Sequence, residues 1–319
     1  MKLSNFKFPW TRLHELGILG MNRRNGDFIS VYNPRKYYPR VDNKRLTKEL
    51  AMAAGIAVPK LYGVVEIEHQ VEEIEALLSP YEDFVIKPSN GSGGNGILVI
   101  IGRRNERFRK SNGEFITLEQ IKHHISNILS GMFSLGAKPD RALIEYRVKF
   151  DPFFAAVSYQ GVPDIRIIVF RGIPLMAMAR LPTAMSDGKA NLHQGAVGVG
   201  IEIASGRTLR GVWKNQLVDY HPDTENPLSG LTIPNWDRLL ALAASCRELA
   251  KLDYIGCDFV LDEHLGPLML ELNARPGLSI QLSNRHGLEP RLEAVERTEI
   301  IPESISERVA LAKQICGNY

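Results

Sequence analysis

The sequence has 319 residues, of which 44% are hydrophobic and 24% are charged, so the chain can bury a sizeable core and divide into two or three lobes. A formal net charge of +3 is too small to indicate nucleic-acid binding, and no apolar run is long enough to span a bilayer. The polar, basic N-terminus lacks the apolar segment of a secretory signal, and three scattered cysteines form no disulfide framework. We therefore expect a cytoplasmic protein with reduced thiols and no membrane span.

Local spacing of apolar and turn-forming residues predicts the elements in chain order. They are helices at 42–54 and 71–78, strands at 84–86 and 96–101, a helix from 117 to 136, strands at 141–146, 165–170 and 175–179, a helix at 235–251, strands at 256–261 and 268–272, and a helix at 303–315. We expect Asp42 and Gly55 to cap the first helix, Thr117 and Gln120 to form a capping box, and Gly317 to follow the last helix. The class is α+β, with the strands in two antiparallel groups.

Basic residues concentrate in two places. Eight lysines and arginines, against two acids, precede Asp42, and a second cluster lies between Arg103 and Lys110. Each cluster is either solvated surface or a binding surface for an anionic substrate or partner. The basic N-terminal arm (residues 1–41) could bind a protein partner, and the chain could form a homo-oligomer; the sequence decides neither.

Lys87 ends a buried strand and is followed by a loop with four glycines within residues 91–96. Bare backbone amides in such a loop can close on phosphate oxygens, and the lysine adds a fixed positive charge. The loop is neither a Walker A motif nor a dinucleotide-binding fingerprint, because no Gly-Lys-Ser/Thr ends it and a strand follows it. The alternative is the tip of a β-hairpin. A second lysine, Lys44, lies near a helix start, and by itself it would be read as a surface residue.

Charged residues also share one face of a later strand. Asp164 and Arg166 are two residues apart, so they point to the same side, and Arg180 ends the next strand. This pattern indicates either a lined cleft or a cross-strand ion pair.

The strongest pattern joins Asp258 on one apolar strand to Glu271 and Asn273 on the next. The two-residue spacing puts Glu271 and Asn273 on one face, and a hairpin would bring Asp258 beside them. Facing carboxylates repel each other unless a cation lies between them, and hard oxygen ligands suit magnesium. The alternative is a set of unrelated exposed acids.

These motifs, taken in order, strongly resemble the ATP-grasp superfamily over about residues 42–290. They are Asp-Asn-Lys at 42–44 with Thr-Lys at 47–48, Val-Ile-Lys-Pro at 85–88 with the glycine loop, Leu-Ile-Glu-Tyr at 143–146, Asp-Ile-Arg at 164–166, and Asp258 with Glu-Leu-Asn at 271–273. Four features look like those of the RimK-type alpha-L-glutamate ligase-related branch: Asp-Ile-Arg, Arg180, the segment 191–195 and Glu-Leu-Asn-Ala-Arg-Pro-Gly-Leu. The resemblance implies two α+β lobes, at 42–145 and 146–319, whose antiparallel sheets sandwich ATP. It also implies a shortened N-terminal domain, because 41 residues precede Asp42 where relatives carry a substrate-binding domain.

The resemblance implies a role for each matching residue. Lys44 and Lys87 would hold the α- and β-phosphates, and the loop containing Ser89, Gly91, Ser92, Gly93 and Gly94 would close over the β- and γ-phosphates. Glu145, Tyr146 and Val148 would form the hinge that contacts adenine. Asp151 is a substitute for the ribose-binding glutamate that relatives such as D-alanine:D-alanine ligase carry seven residues beyond the hinge glutamate. Asp258, Glu271 and Asn273 would bind two Mg²⁺ ions, with Mn²⁺ as an alternative. Arg166 and Arg180 would stabilise the γ-phosphate and the acyl phosphate, and Asn191 would assist near the phosphates.

The implied activity is an ATP-dependent carboxylate-amine ligase that forms a peptide or isopeptide bond and releases ADP and phosphate. Small-molecule or peptide carboxylates and amines would be the substrates, glutamate among them. Rival interpretations are ligation to a thiol or an amino sugar, and a non-catalytic nucleotide-sensing module. No general base is evident, and His193 is either a base or a structural loop residue.

Overall fold

The computed structural model describes residues 9–91, 94–134 and 136–317, and within these ranges two antiparallel sheets carry the fold. The first sheet comprises β1 (Leu61–Val65), β2 (Phe84–Pro88), β3 (Leu98–Arg104), β4 (Arg107–Lys110), β5 (Phe115–Ile116) and β6 (Ala142–Glu145). These strands lie in the order β1-β6-β2-β3-β4-β5. The predicted succession of strand, glycine loop and strand is confirmed, because β2 and β3 pair on either side of the loop.

The second sheet lies C-terminal to the first in the chain. It comprises β7 (Asp164–Phe170), β8 (Ile173–Leu181), β9 (Val197–Ile201), β10 (Thr208–Trp213), β11 (Gln216–Val218), β12 (Tyr254–Asp262) and β13 (Gly266–Asn273). The strands run in the order β11-β10-β9-β8-β7-β12-β13, so β12 lies between β7 and β13. The predicted α+β class with two antiparallel groups of strands is therefore confirmed.

Helices and short helical turns cover the sheets and form the N-terminal segment. In the described ranges they are α1 (Pro9–Glu15), α2 (Met21–Arg23), a π-helix (Arg24–Ile29), α3 (Ser30–Tyr32), a 3-10 helix (Arg35–Tyr37), α4 (Pro39–Asp42), α5 (Lys44–Ala53), a 3-10 helix (Glu68–Val71), α6 (Ile74–Leu78), α7 (Leu118–Leu129), 3-10 helices (Pro152–Val157 and Leu192–Gln194), α8 (Trp236–Ala250), α9 (Ile280–Asn284), α10 (Glu289–Glu296) and α11 (Ile305–Gly317). None of these combines the length and apolar content that crossing a bilayer requires.

Each sheet has its own apolar core. Helices α6 and α7 pack on the first sheet through Ile74, Ile121 and Ile125, which are buried with the apolar residues of β2 and β3. Helices α8 to α11 pack on the second sheet in a larger core. The buried face of α5 also belongs to this second core, through Ala51. The helix that carries the first predicted lysine motif is thus tied to the second sheet.

The described part of the N-terminal segment, residues 9–43, packs on the second core instead of standing apart from it. Leu19 and Phe28 are both 1% exposed in that core. Arg24 is buried, and its Nη1 donates to the carbonyl of Pro276 at 2.8 Å. Part of the basic charge counted before Asp42 is therefore used inside the fold.

Several predicted helix ends are wrong. The N-cap of α5 is Asn43, whose side chain accepts from the Leu46 N–H, while Asp42 ends the preceding helix α4. Helix α6 starts only at Ile74, because the residues before it form a 3-10 turn. Helix α11 includes Gly317 instead of ending before it.

Helix α7 shows both a confirmed cap and a wrong end. Thr117 and Gln120 form the predicted capping box, with each side chain binding the other's backbone N–H. The helix ends at Leu129, because Gly131 takes a left-handed φ of +85°. Met132 is 63% exposed and does not lie on the buried face where the periodicity placed it.

Candidate functional site

Lysines and one glutamate meet beside the start of α5. Lys87 comes from β2, Glu145 from β6, and Lys44 and Lys48 from successive turns of α5. Lys48 and Lys87 bind different oxygens of the Glu145 carboxylate, whose side chain is only 4% exposed. Lys44 lies close enough to interact electrostatically with Lys87 and Glu145. Two buried lysines thus share one carboxylate, and Lys44 lies beside them, where Glu271 and Asp140 also act on it.

The electrostatics of the cluster follow from its burial. Burial lowers the pKa of Lys48 to about 8, although Glu145 opposes this change. Burial also lowers the pKa of Lys44, against the attraction of Glu271. Burial by itself would raise the pKa of Glu145, but the charges of Lys87 and Lys48 outweigh it and lower that pKa. Because two lysines share the Glu145 carboxylate, an added anion would be attracted to the lysine that Glu145 does not neutralise.

The glycine-rich loop is described at its two ends. Ser92 and Gly93 lie outside the described residues, so their phosphate contacts stay predictions. At Gly91 a Cβ would lie 2.3 Å from the ring of the proline that ends β2, and Gly94 has a φ of +78°, so both positions need glycine. Ser89 is fully buried, and its hydroxyl has no hydrogen-bond partner in the described structure.

Asp140, which no sequence motif indicated, anchors the start of this loop. Its carboxylate accepts from the backbone N–H (2.9 Å) and the side-chain amide (2.8 Å) of Asn90, and from the hydroxyl of Ser134. Gly91, which follows Asn90, accepts a hydrogen bond from Nζ of Lys44 through its carbonyl oxygen. The loop is thus joined to α5 on one side and to Asp140 on the other.

The segment between the two sheets is held by Asp262 at the end of β12. The Asp262 carboxylate accepts from the Tyr146 hydroxyl (3.0 Å) and the Lys149 N–H (2.9 Å). Val148, which lies between Tyr146 and Lys149 in the sequence, is 8% exposed and belongs to a small apolar cluster. Asp151 accepts from the backbone of the 3-10 helix that follows it. The predicted adenine and ribose contacts of this segment stay predictions.

Charged side chains of the second sheet pair across neighbouring strands. Arg166 donates from Nε and Nη2 to the two oxygens of Asp258, at 2.7 and 2.6 Å. Arg180 donates to both oxygens of Asp164, each at 2.5 Å, and from Nη2 to Asp258 at 2.9 Å. These side chains are between 1% and 13% exposed. The cross-strand ion pairs considered as an alternative are present, and they form one connected network.

The predicted metal ligands lie together at the edge of this network. Strand register pairs Asp258 with Glu271, and the Asn273 amide lies 3.3 Å from Asp258 Oδ2 and 3.5 Å from Glu271 Oε1. Burial would raise the pKa of Asp258, but Arg166 and Arg180 outweigh it, so this carboxylate stays ionised. In the described residues no three His, Cys, Asp or Glu side chains form a metal site, so an ion here would need the Asn273 amide oxygen and ligand oxygens. The donors are hard oxygens and fit Mg²⁺.

The two charged groups are linked through Lys44, which interacts electrostatically with Glu271. Lys44 is therefore the side chain that connects the lysine group with the carboxylates of the second sheet. A polyphosphate bound beside Lys44 would meet cations of both groups, and a divalent ion could bridge it to the acids.

Asn191 and His193 lie in a 3-10 turn, and their described contacts do not join them to this charged group. The Asn191 side chain accepts from the His193 N–H at 3.0 Å, and His193 is exposed. Both roles stay predictions.

Three buried residues received no role from the sequence: Lys48, although it belongs to the first motif, and Asp140 and Asp262. Lys48 carried a usable signal, because it lies four residues after Lys44 and shares its helix face. The two aspartates are revealed only by the contacts they make.

Comparison with known proteins identifies a family and several distantly similar proteins. The family model described as sugar-transfer associated ATP-grasp matches residues 23–297. The glutathione synthetase of Anaplasma centrale is 26% identical over 153 residues, which are 47% of this chain and 38% of that protein. This chain thus matches well under two thirds of that relative's length.

Solved structures are similar at low identity. The ATP-grasp ligase PsnB complexed with minimal precursor has a TM-score of 0.41 and 14% identity, and the match covers 90% of this chain and 64% of that chain. D-cycloserine synthetase DcsG has a TM-score of 0.44 and 15% identity, covering 88% and 73%. The D-alanine–D-alanine ligase from Bacillus anthracis has a TM-score of 0.43 and 11% identity, covering 87% and 68%. The family match extends over most of the chain, and the protein belongs to the sugar-transfer associated ATP-grasp family.

Proposed function

We propose that this protein is an ATP- and Mg²⁺-dependent ligase that activates a carboxylate as an acyl phosphate and transfers the acyl group to an amine. The observation that supports this most is a buried carboxylate shared by two lysines, next to a third lysine that interacts with an acidic, oxygen-rich group. Lys48 and Lys87 are buried and share the Glu145 carboxylate, and half-buried Lys44 interacts electrostatically with Lys87 and with Glu271. Asp258 pairs with Glu271 across the strands and accepts from Arg166 and Arg180. Such an arrangement fits a nucleoside triphosphate and its metal.

In the proposed reaction, an oxygen of the substrate carboxylate attacks the γ-phosphorus of ATP. The bond between that phosphorus and the bridging oxygen breaks, and ADP leaves. Lys44 and Lys87 hold the phosphates of the leaving ADP, and Arg166 and Arg180 neutralise charge on the transferred phosphoryl group. The amine nitrogen then attacks the acyl carbon and phosphate departs, while the amine proton passes to solvent or to a base such as His193.

The metal fits the same group of side chains. Asp258, Glu271 and the Asn273 amide oxygen would hold Mg²⁺, which when bound neutralises phosphate charge and orients the γ-phosphoryl group. The Arg166 and Arg180 contacts keep Asp258 ionised in preparation for that ion. Two ions, or Mn²⁺ in their place, belong to the same proposal.

The finer assignments are also proposals. Lobes at 42–145 and 146–319 would follow the ATP-grasp arrangement. The glycine loop would close over the phosphates, and Glu145, Tyr146 and Val148 would contact adenine largely through their backbone. The RimK-type motifs favour a glutamate-adding peptide ligase. The family description associates these proteins with sugar transfer, so an amino sugar is the second candidate for the acceptor amine. Both acceptor classes therefore belong in the test.

The test is ADP and phosphate release with matched pairs of carboxylates and amines, followed by mass spectrometry of the product. Glutamate and other amino acids would be offered as acids, and peptides and amino sugars as amines. We expect release that depends on both substrates, and a product heavier than the amine by the acyl group. Formation of AMP, or release that no pair stimulates, would reject the proposal in favour of another chemistry or a nucleotide sensor.

Two variants test the assigned residues. Lys87→Met and Glu271→Gln should each lower kcat about 10²-fold or more, because each removes charge stabilisation of phosphoryl transfer. Lys122→Met and Glu72→Gln are matched controls, because these side chains form a surface ion pair at 2.8 Å on the first sheet's helical layer. Normal turnover by either site variant would remove that residue from the mechanism.

A further inference from the structure

The side chain of Glu145 is buried and is shared by two lysines. Lys87 contacts Oε1, and Lys48 contacts Oε2. The three side chains come from β2, α5 and β6, and their exposed fractions are 11%, 5% and 4% for Lys87, Lys48 and Glu145. The carboxylate thus has two cations where one would neutralise it.

The two lysines differ in what else they can reach. Lys48 also donates from Nζ to the carbonyl of Pro59 at 2.6 Å, so its ammonium is fixed on the protein side. Lys87 lies one residue before the end of β2, directly ahead of the glycine loop. A polyphosphate under that loop would attract Lys87 away from Glu145, while Lys48 would stay in place.

Without Lys48, that movement would leave a carboxylate buried and without a cation. A buried charge that loses its partner is strongly destabilised, because the protein interior solvates it poorly. Lys87 would then be held on Glu145 and would be less available to phosphate. With Lys48 present, Glu145 stays neutralised in both positions of Lys87.

We propose that Lys48 is a positioning residue that keeps Glu145 compensated and so releases Lys87 to bind nucleotide phosphate. This inference rests on the proposed nucleotide site, and it assigns Lys48 no contact with the nucleotide. Two other roles are distinguishable from it. A direct phosphate ligand would be needed whatever residue occupies position 145, and a purely structural residue would affect folding but not the exchange of Lys87.

The experiment measures the dissociation constant of Mg·ADP by titration calorimetry, which requires no turnover. Lys48→Met should weaken binding at least about tenfold, equivalent to about 1.4 kcal/mol. The double variant Lys48→Met/Glu145→Gln should bind Mg·ADP more tightly than Lys48→Met alone, because the carboxylate that retains Lys87 is gone. Arg45→Met is the matched control, since it removes a surface cation from the same helix and should leave binding unchanged.

Each other outcome overturns a specific statement. Unchanged binding by Lys48→Met would show that Lys48 does not assist Lys87. Equally weak binding by the single and double variants would show direct contact or a structural role instead. Thermal unfolding of all variants separates lost affinity from lost fold. A wild-type protein that does not bind Mg·ADP would reject the proposed function, and this inference with it.

Discussion

The substitution Asp258→Asn removes one buried charge and leaves the shape of the side chain almost unchanged. Asp258 accepts two hydrogen bonds from Arg166, at 2.7 and 2.6 Å, and one from Arg180 at 2.9 Å. Arg180 would keep its two bonds to Asp164, whereas Arg166 would lose its bidentate partner. The predicted loss of unfolding free energy is therefore that of one stranded buried cation, about 3–5 kcal/mol.

A surface pair of the same geometry supplies the control. Arg210 donates to both oxygens of Asp219 at 2.6 and 2.8 Å, but these side chains are 43% and 52% exposed. Asp219→Asn should cost no more than about 1 kcal/mol, because water screens an exposed pair. Burial is thus the main difference between the two substitutions.

Urea titration followed by circular dichroism measures both losses. The double variant Asp258→Asn/Arg166→Met should recover part of the lost stability, because it removes the stranded cation as well. If Asp258→Asn cost no more than Asp219→Asn, the buried network would not hold the strands as described. In that case Asp258 would serve the metal site without a structural role.

Three further predictions follow from the site and its surroundings. Asp140→Asn should raise KM for ATP severalfold with a smaller change in kcat, because Asn90 at the start of the glycine loop loses its anchor. If steady-state assays gave the same KM for the variant and the wild type, Asp140 would have no such role. Mg·ADP affinity should fall as pH rises through about 8, since deprotonated Lys48 no longer compensates Glu145. Titrations from pH 7 to 9.5 should show a larger fall in the wild type than in Lys48→Met, which keeps Lys44 with its lowered pKa; equal falls in both would exclude Lys48 as the titrating group. Arg24→Ala should lower the unfolding free energy by about 1.5–3 kcal/mol, because a buried charge-assisted hydrogen bond is lost. Arg35 is exposed, so Arg35→Ala should change the unfolding free energy little. Similar melting curves for the two variants would contradict the packing of the N-terminal segment.

Local spacing in the sequence was enough to predict the elements that carry the site. A buried strand that ends in a lysine, then glycines, then another apolar strand can form only a turn between paired strands, and β2 and β3 do so. Residues two apart on a strand share a face, so the proximity of Glu271 and Asn273 to Asp258 followed from the hairpin alone. Helix ends were predicted less well, because the choice between Asp42 and Asn43 as a cap depends on where the preceding turn stops.

The pairing of charges was decided only by the tertiary structure. Lys48 and Glu145 are 97 residues apart, and Arg166 and Asp258 are 92 apart, so no local pattern could show that they share buried contacts. The packing of the basic N-terminal segment on the second core is likewise a long-range result, and it turns Arg24 from an exposed charge into an internal one. The sequence by itself determined which residues could serve phosphate chemistry, because their types and spacing are local properties. Only the fold decided which of those charges neutralise one another and which remain to attract an anion.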